Sequence, residues 1–297
     1  MNRPFSPTLI FSPRASPLSP VGHSLSPAMH NEAFQALGLD YVYVPFLVAP
    51  AKLPQAVEAV RALEMAGVNL TVPHKEAVLP LLDERSEAAT LIGAVNTIVN
   101  RSGCLYGDNT DGRGFLRSLE AGANFLPADK TALIFGAGGA ARAVAVQLAL
   151  AGARYLIIAN RTSGRALELA SFLNKKTGVE AAAALWPGSR DKGFGLSISL
   201  EEAVASSDLI VQATSLGLQN DADWSGLPYD RMRPEQVACD LVYKPIETSF
   251  LKAVRQSGAM VINGLGMLLY QGVLAFEMWT GVAAPVSVMQ NALNKRG

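Results

Sequence analysis

Lys75 and Asp111 have the chemistry of a proton-handling pair, and both stand in polar segments that flank predicted elements. Lys75 ends the segment GVNLTVPHK (67–75), after a predicted strand and at the start of the helix-like KEAVLPLLDE. The positive end of a helix dipole disfavours a lysine charge, so the position is unusual, although a chance surface lysine is the alternative. Asp111 lies in YGDNTDG (106–112), which is either a polar turn or part of a cleft at a domain junction. If the two groups face each other, the acid keeps the lysine charged and oriented.

Two serines in VGHSLSPAMHN (21–31) form a candidate anion site. Ser26 precedes Pro27, and proline is favoured in the first turn of a helix, so Ser26 is predicted to be an N-cap. Ser24 lies on the same side if the segment is extended. The two hydroxyls and the free N–H groups of the helix start could together hold a small carboxylate. A capping role alone explains Ser26 equally well, and the residues leave both interpretations open.

The segment GAGGAARA (136–143) has the pattern of a dinucleotide-binding turn. It follows the strand-like TALIF and opens an alanine-rich helix, which is the context that such a turn requires. Gly136 permits the tight turn, Gly138 lets the backbone approach a pyrophosphate, and Ala141 fills the third small position. The segment therefore predicts a dinucleotide cofactor.

The type of cofactor is indicated by NRTSGR (160–165), which follows the next predicted strand. An NAD site usually has an acidic residue here that binds the ribose hydroxyls. No carboxylate is present to repel a 2′-phosphate, and Arg161 and Arg165 can bind one through charge-assisted hydrogen bonds. The pattern favours NADP, with two ordinary surface arginines as the alternative.

The elements that must position these residues alternate between strands and helices. Helices are predicted at 27–37, at 53–65 and from Lys75 onward, and a hairpin is predicted over 94–107. The predicted strands are 40–48, 68–72, 131–135, 155–159, 209–213, 237–242 and 260–262. Alternation of this kind is typical of βαβ units, so the predicted fold class is α/β with a largely parallel sheet.

Composition, charge and cysteine count argue against several classes of protein. The chain has 297 residues, 49% of them apolar and 17% charged, which predicts a globular protein of two domains. Its formal net charge of zero argues against a nucleic-acid or membrane-surface binder. Two distant cysteines and three scattered histidines predict neither a metal site nor a disulfide framework. Five prolines interrupt the first twenty residues, and no apolar run reaches membrane-spanning length, so we expect a cytoplasmic protein.

Taken in order, the motifs resemble those of the shikimate dehydrogenase family, which includes shikimate/quinate dehydrogenase-like members. The matching segments are HSLSP, NLTVPHK, GAVNT, DNTDG, GAGGAARA, NRT…R, ATSLG, DLVYKP…T and GLGMLLYQG. The resemblance covers nearly the whole chain. It implies an α/β substrate-binding catalytic domain, residues 1–110 and 264–297, and a Rossmann-type NADP-binding domain, residues 111–263. It also implies reversible, NADP-dependent reduction of 3-dehydroshikimate to shikimate, a step of aromatic amino acid biosynthesis.

The resemblance assigns roles to individual residues. It makes Lys75 and Asp111 the catalytic pair, with Lys75 stabilising the developing oxyanion or relaying a proton to it. The implied substrate-binding residues are Ser24 and Ser26 for the carboxylate, Asn69, Thr71, Asn96 and Gln271 for ring hydroxyls, and Tyr243. The implied cofactor-binding residues are Gly136, Ala137, Gly138, Gly139, Ala140, Asn160, Arg161, Thr162, Arg165, Thr214, Gly264 and Met267.

The chain departs from the family pattern at three places. Leu18 stands where the family has a glycine before Pro20, Pro17 interrupts the strand expected there, and Gln212 replaces an asparagine. A divergent paralogue acting on quinate or another polyhydroxy ring acid is therefore an alternative. A non-catalytic regulator that binds NADP and metabolites is a second alternative. The expected partner is the small-molecule substrate, with no nucleic acid or membrane, in a monomer or homodimer.

Overall fold

A computed structural model describes residues 24–184, 186, 198–216, 224 and 226–295, together with the backbone of 6–12. The chain divides into two compact units: Met1–Gly114 with Leu269–Gly297, called the first unit, and Phe115–Leu268, called the second unit. Sequence motifs placed the divisions a few residues earlier, after residues 110 and 263. Both divisions fall within helices, α5 (Thr110–Ala123) and α10 (Leu265–Thr280). The predicted α/β fold class is confirmed.

The first unit is built on a six-stranded mixed sheet. Its strands are β1 (Ser6–Ser12), β2 (Tyr41–Leu47), β3 (Gly67–Leu70), β4 (Glu84–Arg85), β5 (Thr97–Arg101) and β6 (Cys104–Asp108), in the order β2-β1-β3-β5-β6-β4. Its helices, besides its parts of α5 and α10, are α1 (Ser26–Ala36), α2 (Leu53–Ala62), α3 (His74–Ala77), α4 (Glu87–Ile92) and α11 (Val286–Asn294). The predicted hairpin is the antiparallel pair β5–β6. Val57, Val60, Val68, Ile98 and Leu105 are at most 1% exposed and form the centre of its core.

The second unit has a six-stranded sheet whose neighbouring strands are all parallel. Its strands are β7 (Thr131–Phe135), β8 (Tyr155–Ala159), β9 (Glu180–Ala184), β10 (Leu209–Gln212), β11 (Val237–Asp240) and β12 (Met260–Ile262), in the order β12-β11-β10-β7-β8-β9. Its remaining helices are α6 (Gly139–Leu150), α7 (Ser163–Lys176), α8 (Leu200–Ser206) and α9 (Ser249–Gln256). The strand order reverses between β7 and β10, which is where Rossmann-type sheets bind dinucleotides.

Several local predictions were wrong. The helix expected from Lys75 onward is only the single turn α3, because Pro80 cannot continue it and a 3-10 turn, Leu79–Leu81, follows. The strand predicted at 68–72 begins one residue earlier and ends two residues earlier, because β3 starts at Gly67, where an added Cβ would collide with the Ile98 carbonyl and the Trp279 indole. The strands β1, β4 and β9 were missed. The alanine-rich β9 lacks the β-branched residues that mark a strand. Leu18, Pro17 and Pro20 lie outside the described residues.

Features that bear on cellular context are few. No helix in the described part of the chain is long and apolar enough to span a membrane. Over the same residues, the acidic, histidine and cysteine side chains form no group that could hold a metal ion. Cys104 and Cys239 are both free thiols. The cytoplasmic location and the monomeric or homodimeric state stay predictions.

Candidate active site

Lys75 and Asp111 form an ion pair within the first unit. Lys75 Nζ donates to Asp111 Oδ2 at 2.7 Å, and the two side chains are 27% and 17% exposed. Lys75 is the second residue of α3, and its backbone carbonyl accepts a hydrogen bond from the Val95 amide at 2.8 Å. Asp111 lies in the first turn of α5. A single helical turn has little dipole, so the lysine is oriented mainly by its carboxylate partner. The pair is sheltered but still accessible to a ligand.

Asn96 fixes the other oxygen of the Asp111 carboxylate. Its Nδ2 donates to Asp111 Oδ1 at 2.8 Å and to Thr110 Oγ1 at 3.0 Å. Its Oδ1 accepts from the Thr110 amide at 2.8 Å and from Thr97 Oγ1 at 3.0 Å. Asn96 is only 3% exposed, so the carboxylate is held from behind by a buried amide. Both oxygens of Asp111 are thus oriented by the protein itself.

Asn69 extends this network along β3. Its Nδ2 donates to the Asn96 carbonyl and to Thr97 Oγ1, both at 3.0 Å, and its Oδ1 accepts from the Tyr43 hydroxyl at 2.8 Å. Thr71 follows β3, and its carbonyl accepts from the His74 amide at 2.9 Å. Sequence reasoning missed the contributions of Thr97 and Tyr43. Thr110 stood inside the DNTDG motif and could have been found there.

The serine pair differs from the prediction in one respect. Ser26 is not the N-cap but the first residue of α1, and the N-cap is Leu25, which has no side-chain capping bond. The Ser26 amide instead donates to Ser24 Oγ at 3.3 Å. Ser26 is 9% exposed, and a hydrogen bond from it to the phenol partly offsets the burial that raises the pKa of Tyr43. The Ser24 hydroxyl and the Ser26 amide therefore lie together at the start of α1, while the Ser26 side chain contacts the Tyr43 phenol.

A buried histidine, His30, packs against Tyr43 in the core of the first unit. The His30 ring stacks on Tyr43 with 4.4 Å between ring centroids and lies 5.3 Å from the Trp279 ring. It is fully buried, and burial lowers the pKa of His30 to about 3. His30 is therefore a neutral aromatic component of the core under physiological conditions, and we assign it no role in proton transfer.

Two further predicted substrate-binding residues, Gln271 and Tyr243, are distant in sequence from Lys75 and Asp111. Gln271 is on α10, where its backbone approaches so closely that a Cβ on Gly114 would lie 2.5 Å from the Gln271 amide nitrogen. Gln271 thus belongs to the same compact unit as the ion pair. Tyr243 belongs to the second unit and follows β11, with 38% of its surface exposed.

The glycine turn of the second unit has the backbone geometry that its sequence predicts. Gly136 directly follows β7 and has φ of +114°, which disfavours any side chain. A Cβ there would also lie 3.0 Å from the Ala213 carbonyl oxygen. Gly138 is the N-cap of α6, and a Cβ built on Gly138 or Gly139 would meet nothing within 4 Å. The free helix start leaves room for a phosphate to approach the backbone.

A pocket of about 290 Å³ lies at the carboxyl ends of β7, β8 and β10. It is lined by Gly136, Ala137, Gly138, Asn160, Arg161, Arg165, Trp186, Ala213, Thr214, Ser215 and Leu216. Among the residues that the structure describes, this lining has two arginines and no carboxylate, which suits the extra phosphate of NADP. The residues present therefore fit this cofactor.

The pocket contains part of the predicted cofactor set. Gly139 and Ala140 begin α6, Thr162 is the N-cap of α7, and Gly264 and Met267 lie before and within the first turn of α10. These five are outside the pocket lining. Sequence reasoning missed Ala213, Ser215 and Leu216, although these residues directly follow β10 and ligands bind at the carboxyl ends of strands in α/β sheets. No sequence signal pointed to Trp186.

A mixed α/β unit with a partly buried Lys–Asp pair, together with a Rossmann-type unit, defines a dinucleotide-dependent oxidoreductase. Three family models match the chain: shikimate dehydrogenase substrate binding domain over residues 19–98, shikimate/quinate 5-dehydrogenase over 121–185, and shikimate 5′-dehydrogenase C-terminal domain over 264–293. The chain belongs to the shikimate dehydrogenase family, as its motifs predicted.

Individual relatives cover almost the full length. The chain is 51% identical over 278 residues to shikimate dehydrogenase (NADP(+)) of Desulforamulus reducens, which spans 93% of this chain and 92% of that relative. The solved structure of shikimate 5-dehydrogenase from Listeria monocytogenes, in complex with shikimate and NAD, has a TM-score of 0.85 at 37% identity and covers 96% and 95% of the two chains. The 5-ketofructose reductase of a Gluconobacter species has a TM-score of 0.86 at 36% identity, covering 98% of both chains.

Proposed function

We propose that Lys75 and Asp111 perform the proton chemistry of the NADP-dependent reduction of 3-dehydroshikimate to shikimate, which is the activity of this chain. The activity and the cofactor are those named for its full-length relatives. The observation that carries the proposal is the sheltered 2.7 Å contact between Lys75 Nζ and Asp111 Oδ2. Enzymes place a positioned acid where an oxyanion develops, and a charged lysine next to a fixed carboxylate suits that task.

The mechanism follows from the negative charge that develops on the carbonyl oxygen of the substrate during hydride transfer. NADPH, held by the glycine turn and the arginines of the second unit, would supply the hydride for the C3 carbonyl carbon of the substrate. As the carbon–oxygen π bond breaks, its electron pair moves onto the oxygen, where the Lys75 ammonium stabilises the negative charge and donates a proton. Asp111 accepts a hydrogen bond from Lys75 and directs its ammonium group, and Asn96 holds the carboxylate by its other oxygen. The alcohol product remains, and Lys75 is reprotonated from solvent.

In this proposal the first unit binds the substrate and the second unit binds the cofactor. Ser24 and Ser26 contact the carboxylate of the substrate. Asn69, Thr71, Asn96 and Gln271 contact its ring hydroxyls. The family resemblance adds Tyr243 to the substrate-binding residues. Both N–H donors of the Asn69 and Asn96 amides already bind protein groups. Asn69 Oδ1 accepts only from Tyr43, so a substrate hydroxyl would donate to its second lone pair. Asn96 Oδ1 already accepts two hydrogen bonds, so Asn96 contacts a hydroxyl by exchanging one of its present partners.

The second unit binds NADP. The glycine turn accommodates the pyrophosphate through Gly136, Ala137, Gly138, Gly139 and Ala140. The adenosine phosphate is bound by Asn160, Arg161, Thr162 and Arg165. Thr214, Gly264 and Met267 lie near the nicotinamide ribose. Support comes from the shared pocket, where Thr214 and the two arginines line one cavity with the glycine turn.

A different ring or chain substrate is the second candidate function. It is favoured by the fold similarity to a 5-ketofructose reductase, which equals the similarity to shikimate dehydrogenases. The test is to follow the absorbance of reduced nicotinamide with shikimate, quinate and a keto sugar, each supplied with NADP or NAD. We expect the highest kcat/KM for shikimate with NADP. A higher kcat/KM for another pair would overturn the substrate assignment, and no turnover with any pair would favour a non-catalytic regulator.

A further inference from the structure

Gln212, the residue that replaces the family's asparagine, is fully buried at the carboxyl end of β10. All of its side-chain hydrogen-bonding groups have partners. Its Oε1 accepts from the Thr214 amide at 2.5 Å, and its Nε2 donates to the Leu216 carbonyl at 2.9 Å and to Asp240 Oδ1 at 3.3 Å. One side chain therefore holds both ends of the short loop that follows its own strand.

That loop, residues 213–216, forms one wall of the dinucleotide pocket. Inside it the Leu216 amide donates to Thr214 Oγ1 at 3.1 Å, which orients the threonine hydroxyl. The loop also packs against the glycine turn, since a Cβ on Gly136 would lie 3.0 Å from the Ala213 carbonyl oxygen and 3.2 Å from Thr214 Cγ2. A shift of the loop by a fraction of an ångström would thus change the width of the pocket at the turn.

Asp240 anchors Gln212 from the next strand. Its Oδ2 accepts from Thr248 Oγ1 at 2.6 Å, and its Oδ1 accepts from the Val242 amide at 2.9 Å. The backbone repeats the link, because the Leu241 amide donates to the Gln212 carbonyl at 2.9 Å. Gln212 is therefore not only a local turn former, since it also ties the pocket wall to the end of β11.

We propose that Gln212 is a positioning residue for the dinucleotide and sets the affinity of this chain for NADPH through the shape of the 213–216 loop. The proposal rests on the assignment of the pocket to NADP. Gln212 is too deeply buried to act as a ligand itself, so its effect reaches the cofactor through Thr214 and Leu216.

The length of the side chain matters in this arrangement. An asparagine at this position can accept from the amide two residues on, as in an Asx turn, and would keep the Thr214 contact. It is one methylene shorter and cannot also reach the Leu216 carbonyl. We therefore expect the asparagine variant to hold the start of the loop but not its end.

The test compares two buried glutamines of the second unit. Gln236 is 1% exposed, and its Nε2 donates to the Val204 and Ser207 carbonyls, both at 2.7 Å, but it does not line the pocket. NADPH fluorescence titrations without substrate give Kd for Gln212→Met and for the matched control Gln236→Met. We expect Kd to rise on the order of tenfold for Gln212→Met and to stay within about twofold of wild type for Gln236→Met, with similar losses of Tm.

Gln212→Asn provides a second, milder variant and should raise Kd by about two- to fivefold, since one of the three contacts is kept. For both Gln212 variants, kcat at saturating NADPH should stay near wild type while KM for NADPH rises. An unchanged Kd in the Gln212 variants would overturn the inference, and so would an equal rise in Gln236→Met, because general destabilisation would then explain both. Failure of the wild-type protein to bind NADPH would instead reject the proposed function.

Discussion

The proposed catalytic site of the first unit and the proposed dinucleotide pocket of the second are built in different ways. Around Lys75 and Asp111, buried side chains hold one another: Asn96, Asn69 and Thr97 form a continuous hydrogen-bonded network behind the ion pair. In the pocket, the shape comes from backbone, namely the glycine turn after β7 and the loop after β10. Its two arginines are exposed and lie at the edge of this backbone framework.

This difference indicates what each site must do. A developing oxyanion needs charges fixed in direction before the reaction, and buried amides around Asp111 provide that order without ligand. A dinucleotide is long and carries its own charges, so a shaped backbone with exposed cations at its rim is sufficient. Single substitutions should therefore reduce turnover in the first unit and cofactor affinity in the second.

Loss of the lysine should have the largest effect. Lys75→Ala removes the group that stabilises the oxyanion and leaves Asp111 with a partly buried, unpaired charge. We expect kcat for shikimate oxidation to fall by at least about a hundredfold, while Kd for NADPH changes little. Steady-state kinetics and fluorescence titration measure the two quantities.

Lys52 offers a matched control, since it is an exposed lysine at the end of a 3-10 turn in the same unit. Lys52→Ala should keep the wild-type kcat. Near-normal turnover in Lys75→Ala would remove the lysine from the mechanism. A parallel loss of NADPH affinity would show that the two sites are not separable in the way that their construction indicates.

The arginines should have an intermediate effect that is confined to the cofactor. Arg161 and Arg165 both line the pocket, and each can neutralise a 2′-phosphate. The double variant Arg161→Ala/Arg165→Ala should raise KM for NADP by about ten- to a hundredfold and leave KM for NAD nearly unchanged. Comparing kcat/KM for the two cofactors measures the lost discrimination.

Arg255 is the control for this prediction, because it is an exposed arginine of the second unit that pairs with Glu247 at 3.2 Å. Arg255→Ala should preserve the preference for NADP. Should the double variant lose affinity for NAD and NADP equally, the arginines would contribute general attraction for anions and not recognition of the extra phosphate.

The sequence predicted the elements and motifs better than the supporting contacts. The glycine turn, the arginines and the Lys–Asp pair stand in motifs whose chemistry is local, so their residue types can be recognised directly. Thr97, Tyr43 and Gln212 each have a partner that is distant in sequence, namely Asn69 for the first two and Asp240 for Gln212, and the sequence does not show these contacts. The short helix α3 was overestimated because apolar periodicity continued through Pro80. The capping role of Ser26 was wrong because the helix begins one residue earlier than Pro27 indicates.

The two units should also differ in how their stability depends on pH. Burial lowers the pKa of His30 from 6.5 to about 3, so this ring stays neutral in the folded first unit. Its stabilising contribution is present above pH 6.5 and is lost as the pH falls toward 3, because the unfolded chain takes up the proton. Burial raises the pKa of Asp240 from 3.8 to about 6, against hydrogen bonds from Thr248 and the Val242 amide. Its contribution is present below pH 3.8 and is lost as the pH rises through 6.

Asp240→Asn and His30→Phe test this opposition, and their effects should be the smallest of the series. Relative to wild type, Asp240→Asn should gain on the order of 1 kcal/mol of unfolding free energy between about pH 4 and about pH 7, because the ionised carboxylate no longer opposes folding. His30→Phe should show the reverse trend: relative to wild type, its unfolding free energy should increase as the pH falls over the same range. Urea unfolding at several pH values measures both. Because the comparison uses the change with pH, a constant loss from altered packing does not affect it. Curves that run parallel to wild type would mean that neither group keeps its shifted pKa, and curves of the same slope for both variants would contradict the contrast between the units.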